Sequence, residues 1–323
     1  MQIFSKDKIY NFMGKSLPFI ILSFIMIMAS YVLLGSKGLN YGIDFSGGTI
    51  VQVKYEGTAP IKKMREQISV DEMFKSATIT EFGSPDEVVI RFMSSSDSVQ
   101  EDLGDIVGDL LKGTGDFEIR RVDIVGPKVG GELREKGIMA MLVSILAILI
   151  YITIRFEWRF AVASILALIH DISIAIGALV LFQIDINLDI LAALLTLLGY
   201  SLNDTIIVFD RIREEVKKAK NFDLFEIINF SISRTLSRTL LTSLTTFFVV
   251  LTLWMFGGEI IHGFGFTLLV GIIVGTYSSI FVASPMLKWL KFSVEDYKSK
   301  ESKKEIARIE KEKMRAQYEQ GIV

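Results

Sequence analysis

The sequence predicts a polytopic α-helical membrane protein with six transmembrane helices and one small α+β domain between the first and second spans. Three observations carry this. Half of the 323 residues are hydrophobic, a membrane-protein composition. Six apolar segments, at about 17–35, 137–154, 160–182, 188–209, 239–257 and 264–287, are each long enough to cross a bilayer core as a helix. Between the first two, residues 36–136 lose that apolar character and show strand-like and helix-like patterns in alternation.

The N-terminal residues 1–16 carry Lys6, Lys8 and Lys15 and precede the apolar run that forms the first span at 17–35. That run is longer than the core of a signal peptide, and no small-x-small site ends it, so an uncleaved span is expected. Basic residues also fill the second-to-third connection (Arg155, Arg159), the fourth-to-fifth connection (Arg211, Arg213, Lys217, Lys218, Lys220, Arg234, Arg238) and the tail, whereas the turns 183–189 and 257–263 hold no Lys or Arg. By the positive-inside rule both termini are cytoplasmic and the 36–136 domain is extracytoplasmic.

Within that domain, Thr49–Tyr55 alternates as a strand, and Pro60–Ile68 has helical spacing with Pro at its start. Thr78–Phe82 and Val88–Phe92 flank GSPDE as a hairpin. Ser98-x-x-Glu101 is a capping box opening a helix with Val99, Leu103, Ile106, Val107, Leu110 and Leu111 on one side, and Phe117–Val125 is a last strand. The order β-α-β-β-α-β is that of a ferredoxin-like domain. Its 18 acidic and 13 basic residues give no basic footprint for nucleic acid.

Glycine motifs flank the domain. One holds Asp44, Gly47 and Gly48; the other holds Gly126, Pro127, Gly130 and Gly131. They read as tight turns that fix the domain to the membrane, as hinges, or as a ligand site. The remainder of the bundle is placed at 137–290. Inside it, 211–238 is a basic amphipathic segment whose Phe222, Phe225, Ile228 and Ile232 either lie on the inner leaflet or merely line a connecting helix. Residues 291–323 form a charged tail, helical by its interleaved Glu301, Lys304, Glu305 and Arg308, solvated or drawn to anionic lipid.

Composition excludes several functions. Without Cys, no disulfide or thiolate metal site can form, and two histidines, His170 and His262, make a metal centre unexpected. Phosphate-loop and nucleophile-elbow motifs are missing. Chemistry concentrates instead in the fourth span. Leu188–Phe209 would make a helix of roughly 33 Å, yet it contains Asn203 and Asp204. An ionisable group at that depth costs a few kcal/mol on insertion scales and marks a candidate functional site. The plainer readings are a carboxylate near enough to water to be solvated, or a helix–helix hydrogen-bond partner.

Other polar groups could meet it. Tyr200, Ser201, Asp204 and Val208 share one helix face. Arg238 opens the fifth span at a similar depth, with Thr242 one turn on and Thr245 and Thr246 following, and His170–Asp171 lies midway along the third. Burial favours a neutral carboxylic acid and a nearby guanidinium favours the carboxylate, so moving Arg238 toward and away from Asp204 would modulate proton binding. A fixed Asp204–Arg238 ion pair is the structural alternative. An aspartyl protease dyad of Asp171 and Asp204 lacks the Gly-x-Gly-Asp element such sites carry, so no enzymatic activity is expected.

Five motifs, GIDFSGGT (42–49), VDIVGPKVGGEL (122–133), LIHDISIAIG (168–177), GYSLNDTIIVFDRIRE (199–214) and LSRTLLTSLTT (236–246), resemble the SecF branch of the SecD/SecF family of bacterial protein-export membrane proteins, within the resistance-nodulation-division superfamily. The resemblance covers the membrane part and the domain's flanks. It implies a multi-pass protein of the bacterial cytoplasmic (inner) membrane that pairs with SecD. That complex would associate with the SecYEG channel and use the proton motive force to assist preprotein export after SecA has acted; YajC is a further candidate partner. No cofactor beyond protons is implied. By motif position the family's proton-pathway aspartate falls on Asp204 and its arginine on Arg238, with Asn203, Thr242 and Ser201 as candidate companions and His170 and Asp171 as candidate supporting groups. The alternatives are a proton-coupled small-molecule efflux transporter of the same superfamily and a passive translocon scaffold.

Overall fold

A computed structural model describes residues 8–75, 77–93, 100–219 and 223–319. Lys6, Ser98, Val99, Lys220 and Phe222 lie outside the described residues. After a 3-10 turn at Met13–Lys15, α1 spans Ser16–Lys37 and a one-turn helix α2 spans Ile43–Ser46. The domain follows as β1 (Gly48–Tyr55), α3 (Ile61–Ile68), β2 (Thr78–Phe82), β3 (Ser84–Phe92), α4 (Gln100–Leu110) and β4 (Phe117–Val125). Next come α5 (Pro127–Arg155), α6 (Trp158–Leu181), α7 (Leu188–Lys218), α8 (Leu224–Phe256) and α9 (Glu259–Ser278). A π turn at Ser279–Ala283 links α9 to α10 (Ser284–Trp289), and α11 (Val294–Glu319) ends the described chain. Six helices are long and apolar enough to cross a membrane, the sixth running from Ile260 to Trp289 through the π turn.

The domain is ferredoxin-like. Its four strands lie in the order β2-β3-β1-β4, each neighbouring pair antiparallel. Strict alternation puts Val51, Val53 and Tyr55 of β1 on the face covered by helices, where Met64 and Ile68 of α3 and Leu103, Val107 and Leu111 meet them. The hairpin differs from expectation. Gly83, at φ 75°, makes the turn almost alone, and residues of the expected GSPDE loop already belong to β3. A bulge between Glu81 and Phe82 absorbs the extra residues of the longer strand.

In the bundle, α6, α7 and the last span form the buried middle, while α1, α5 and α8 flank it with mostly exposed faces. Small residues set the closest approaches, as expected where apolar lipid gives helices no solvent-driven reason to associate. Gly177 of α6 lies against Ser30 of α1, and Gly271 and Gly275 of α9 lie against Leu197 and Ser201 of α7.

Two boundaries differ from the sequence expectation. The second glycine motif is no loop: Gly126 caps α5, which begins at Pro127, so Gly130 and Gly131 are helical. Proline favours this because its missing N–H is an orphan at a first helical position anyway. The helix that carries the fifth apolar segment begins at Leu224, well before 239, so among the described residues the second half of the basic segment 211–238 is continuous with that helix. Ile228 and Ile232 are buried in the main core and Phe225 packs on it, so the apolar stripe faces the protein instead of lipid. α7 and α8, at roughly 46 and 50 Å, are longer than a bilayer core and project from it as a hairpin. The tail is also partly docked: Lys298 donates to the Ala219 carbonyl and Lys217 pairs with Glu301 at 2.8 Å.

Candidate functional site

Asp204 is 1% exposed, deep in the bundle. Its Oδ2 accepts from Ser243 Oγ of α8 at 2.9 Å, and the single hydrogen of Thr276 Oγ1 of α9 is shared between that oxygen, at 3.3 Å, and Ser243 Oγ, at 2.8 Å. Its Oδ1 is buried with no partner among the described residues. A carboxylate offers about four acceptor sites, so this group is held but unsaturated.

A second buried cluster sits beside the first. Asp171 is fully buried on α6. Its Oδ1 lies 2.7 Å from His170 Nδ1, and its Oδ2 accepts from Ser201 Oγ of α7 and, at 2.9 Å, from Ser278 Oγ of α9. The His170 ring stacks on Tyr277, whose hydroxyl donates to the Phe19 carbonyl and accepts from Ser23 Oγ of α1 at 2.9 Å. His170 Nε2 is buried without a partner among the described residues.

The run Gly275–Ser279 therefore distributes contacts around the whole core. Gly275 lets Ser201 approach, Thr276 serves Asp204, Tyr277 reaches α1, and Ser278 serves Asp171. The π turn begins directly after it, and Ser284 Oγ donates to the Ser279 carbonyl across the widened turn. Pro285 follows; it has no N–H for the carbonyl four residues back, a recognised cause of such irregularity. Ser243, Thr276 and Ser278 were missed in the sequence reading. For Thr276 and Ser278 the signal was present, a Thr-Tyr-Ser-Ser run inside an otherwise apolar span.

The structure does not join Asp204 to Arg238. Arg238 is exposed and forms no ion pair among the described residues. Depth explains little of this; azimuth explains most. Arg238 precedes Ser243 by five residues, which is about 7.5 Å of rise but about 140° of rotation around α8. Ser243 faces Asp204, so Arg238 faces away. Asn203 and Thr242 are exposed as well, and Thr242 Oγ1 bonds back to carbonyls of its own helix. Ser201 belongs to Asp171, not to Asp204. Tyr200 instead reaches across to the Thr242 carbonyl at 3.2 Å.

The domain grips the start of α7. Gly42 N donates to the Ile186 carbonyl at 2.8 Å, and Ile186 N to the Asn40 carbonyl at 2.7 Å. Asp44 Oδ2 accepts from Leu188 N, the first residue of α7, at 3.0 Å, while Asn187 caps Ile190 N from its own N-cap position. Arg91 of β3 pairs with Asp185 in the same turn. A carboxylate at a helix N-terminus satisfies an orphan donor and suits the helix dipole. Asp44→Ala is expected to cost about 1 kcal/mol of stability, read as a lower thermal midpoint of the purified protein. The half-exposed Arg91–Asp185 pair is worth less than about 1 kcal/mol; reversing Arg91 to Glu should loosen the domain, and adding Asp185→Arg should restore it, read by protease nicking of the domain junction.

The two glycine motifs lock together. A Cβ on Gly47, at φ 74°, would meet Pro127 Cα at 2.6 Å, and one on Gly130 would meet Gly47 N at 2.8 Å. Gly48, at φ 128°, lies close to the Phe92 carbonyl. Gly126 and Gly131 face open space.

Comparison with known proteins places this architecture. Residues 106–293 match the family "Protein export membrane protein SecD/SecF, C-terminal", and residues 32–59 match the SecD/SecF GG motif. The chain is 48% identical over 323 residues to the protein translocase subunit SecF of Helicobacter pylori strain 26695, covering all of both chains. It is 48% identical over 287 residues to SecF of Vibrio alginolyticus, covering 88% of this chain and 91% of that one. Among solved structures, SecDF of Thermus thermophilus, a translocon-associated membrane protein, superposes with a TM-score of 0.81 at 37% identity over 90% of this chain. A super-membrane-facing form of SecDF gives 0.66 at 34% identity over 95%. The chain spans 40% and 41% of those two solved chains. The chain belongs to the SecD/SecF family, in its SecF branch.

Proposed function

We propose that this SecF-family chain is the partner of a SecD subunit in a translocon-associated complex that uses the proton motive force to assist preprotein export, with Asp204 as its proton carrier. The observation that carries the reading is Asp204 itself, a carboxyl group 1% exposed in mid-bundle, held by two hydroxyls and by no cation among the described residues. Hydroxyls serve both protonation states, since they donate to a carboxylate and accept from an acid. A proton crossing the membrane potential supplies about 2.3 kcal/mol per 100 mV. Arg238 acts in the other half of the cycle: a rotation of α8 that brings it toward Asp204 favours the carboxylate and releases the proton.

Movement then passes outward along α7. This helix carries Asp204 in its middle, and its first residue is capped by Asp44 of the glycine motif that leads into the domain. Rigid helices transmit displacement, so a shift of α7 tilts a domain fastened to its end. The exposed faces of α1, α5 and α8 supply surface for SecD and lipid. Both termini are cytoplasmic, the domain works on emerging chain outside, SecYEG is the channel served, and no covalent chemistry or cofactor takes part.

The test is preprotein export into vesicles with the gradient imposed or collapsed. In Asp204→Asn the gradient-dependent part of export is expected to vanish while the complex with SecD still assembles. Gradient-dependent export at the wild-type rate would sink the assignment and favour a passive scaffold.

A further inference from the structure

We infer that His170 and Asp171 form a second proton-binding station beside Asp204, and that protons reach or leave Asp204 through it. This rests on the reading of Asp204 as the proton carrier. Three observations place the station. The first is depth. α7 begins at the domain side with Leu188, and Ser201, the hydroxyl bound to Asp171, precedes Asp204 by three residues. On α7 the two attachment points are about 4.5 Å apart, while on α9, which runs the same way, Thr276 precedes Ser278 by about 3 Å, so the two carboxyl groups lie at nearly the same depth.

The second is shared construction. α7 provides Asp204 and also the Ser201 hydroxyl that binds Asp171. α9 provides Thr276 to Asp204 and Ser278 to Asp171, two residues apart. α9 thus lines both carboxyl groups, and α7 bears one and lines the other, with hydroxyls that donate and accept, which is what handing on a proton requires. Gly275 makes this closeness feasible by leaving room for Ser201.

The third is capacity. A purely structural Asp171 would account for the bonds from Ser201 and Ser278, which tie α6 to α7 and α9. It would not account for His170 Nε2, which is buried without a partner among the described residues. A ring held at Nδ1 and free at Nε2 is ready to take up or give up a proton at that second nitrogen. His170 in its Nδ1–H tautomer donates to the Asp171 carboxylate. It gains a proton at Nε2 and passes the Nδ1 proton to Asp171; neutral Asp171 then gives a proton to the Asp204 carboxylate and is a carboxylate again. His170 is left with its proton at Nε2, and tautomer exchange returns it to Nδ1 before the next pass, so each pass moves one proton with atoms and charge conserved.

The chain, reconstituted with its SecD partner in vesicles enclosing a pH-sensitive dye, is assayed for gradient-driven proton uptake. Asp171→Asn should lower uptake by about 100-fold, the scale of a lost positioned proton donor, with Asp171→Glu restoring part of it. His170→Asn keeps a donor toward Asp171 but cannot titrate, and should lower uptake by about 100-fold, the lower end of the same scale, with assembly unchanged. Infrared difference spectra between high and low pH should lose one carboxylic C=O band in Asp171→Asn, distinct from the band lost in Asp204→Asn. Wild-type uptake in His170→Asn, or an infrared spectrum unaltered by Asp171→Asn, would overturn the station. Wild-type uptake in Asp204→Asn would instead overturn the reading beneath it.

Discussion

Asp204→Asn is expected to reduce gradient-driven export by about 100-fold or more, equivalent to about 2.7 kcal/mol or more. The substitution preserves size and one hydrogen-bond acceptor for Ser243 and Thr276, so packing around the site should hold. What it removes is the ability to bind and release a proton. Asp204→Glu separates the two effects. It keeps a titratable carboxyl but forces a methylene into a fully buried position, at a cost of about 1–3 kcal/mol. Partial gradient-driven export is therefore expected for Glu and none for Asn. Ser243→Ala and Thr276→Ala each remove one donor from Asp204 and leave the carboxyl in place, so they should alter the dependence of export on the imposed pH difference without abolishing it. The measurement is export rate against gradient size for the four variants in vesicles matched for complex content. An Asn variant that follows the wild-type curve would place the proton elsewhere.

The contrast between what the sequence revealed and what it hid follows from dimensionality. Apolar length, strand alternation and helical spacing are one-dimensional signals, and they located six spans and the β-α-β-β-α-β order. Spacing along one helix also showed that Ser201, Asp204 and Val208 share a face, and all three are buried. Which neighbour that face meets depends on how helices are rotated against one another, and a single helix does not encode this. Hence Ser201 was grouped with Asp204 although it binds Asp171, and Arg238 was placed by depth although it lies about 140° around α8 from the contact with Asp204. The partners actually used, Ser243, Thr276 and Ser278, are uncharged. Hydroxyls pass unnoticed in apolar spans because they satisfy themselves on their own helix, as Thr242 and Thr246 do here. The start of α5 was hidden for another reason: glycines suggested a loop, while the proline beside them is equally at home in a first helical turn.

Adjacent glycines of the second motif should respond with opposite sign. Gly130→Ala is expected to destabilise the protein by about 1–3 kcal/mol, because its Cβ would meet Gly47 N at 2.8 Å and the Phe45 carbonyl group at 3.2 Å. These are backbone atoms, so no side-chain rotation relieves the clash. Gly131→Ala points into open space on the same helix and should stabilise by up to about 1 kcal/mol through helix propensity. The pair discriminates between two views of these motifs. If they lock the domain to the bundle, the effect depends on the direction each Cβ takes, and only Gly130→Ala separates domain from membrane. If they serve as flexible hinges, both alanines stiffen the chain alike and neither disrupts the fold. Thermal unfolding followed by the fluorescence of the three tryptophans gives the stability change. Because the chain has no native cysteine, a pair replacing Arg91 of β3 and Asp185 of the facing turn, joined by a bifunctional thiol reagent, would report by crosslinking whether the domain has let go. Retained crosslinking with an unchanged midpoint in Gly130→Ala would count against the lock. A lost crosslink in that variant alone would make the Gly47–Gly130 contact the point where domain and membrane bundle are joined, and with the Asp44 cap on α7 it would leave the domain no direction to move in except with the helix that carries Asp204.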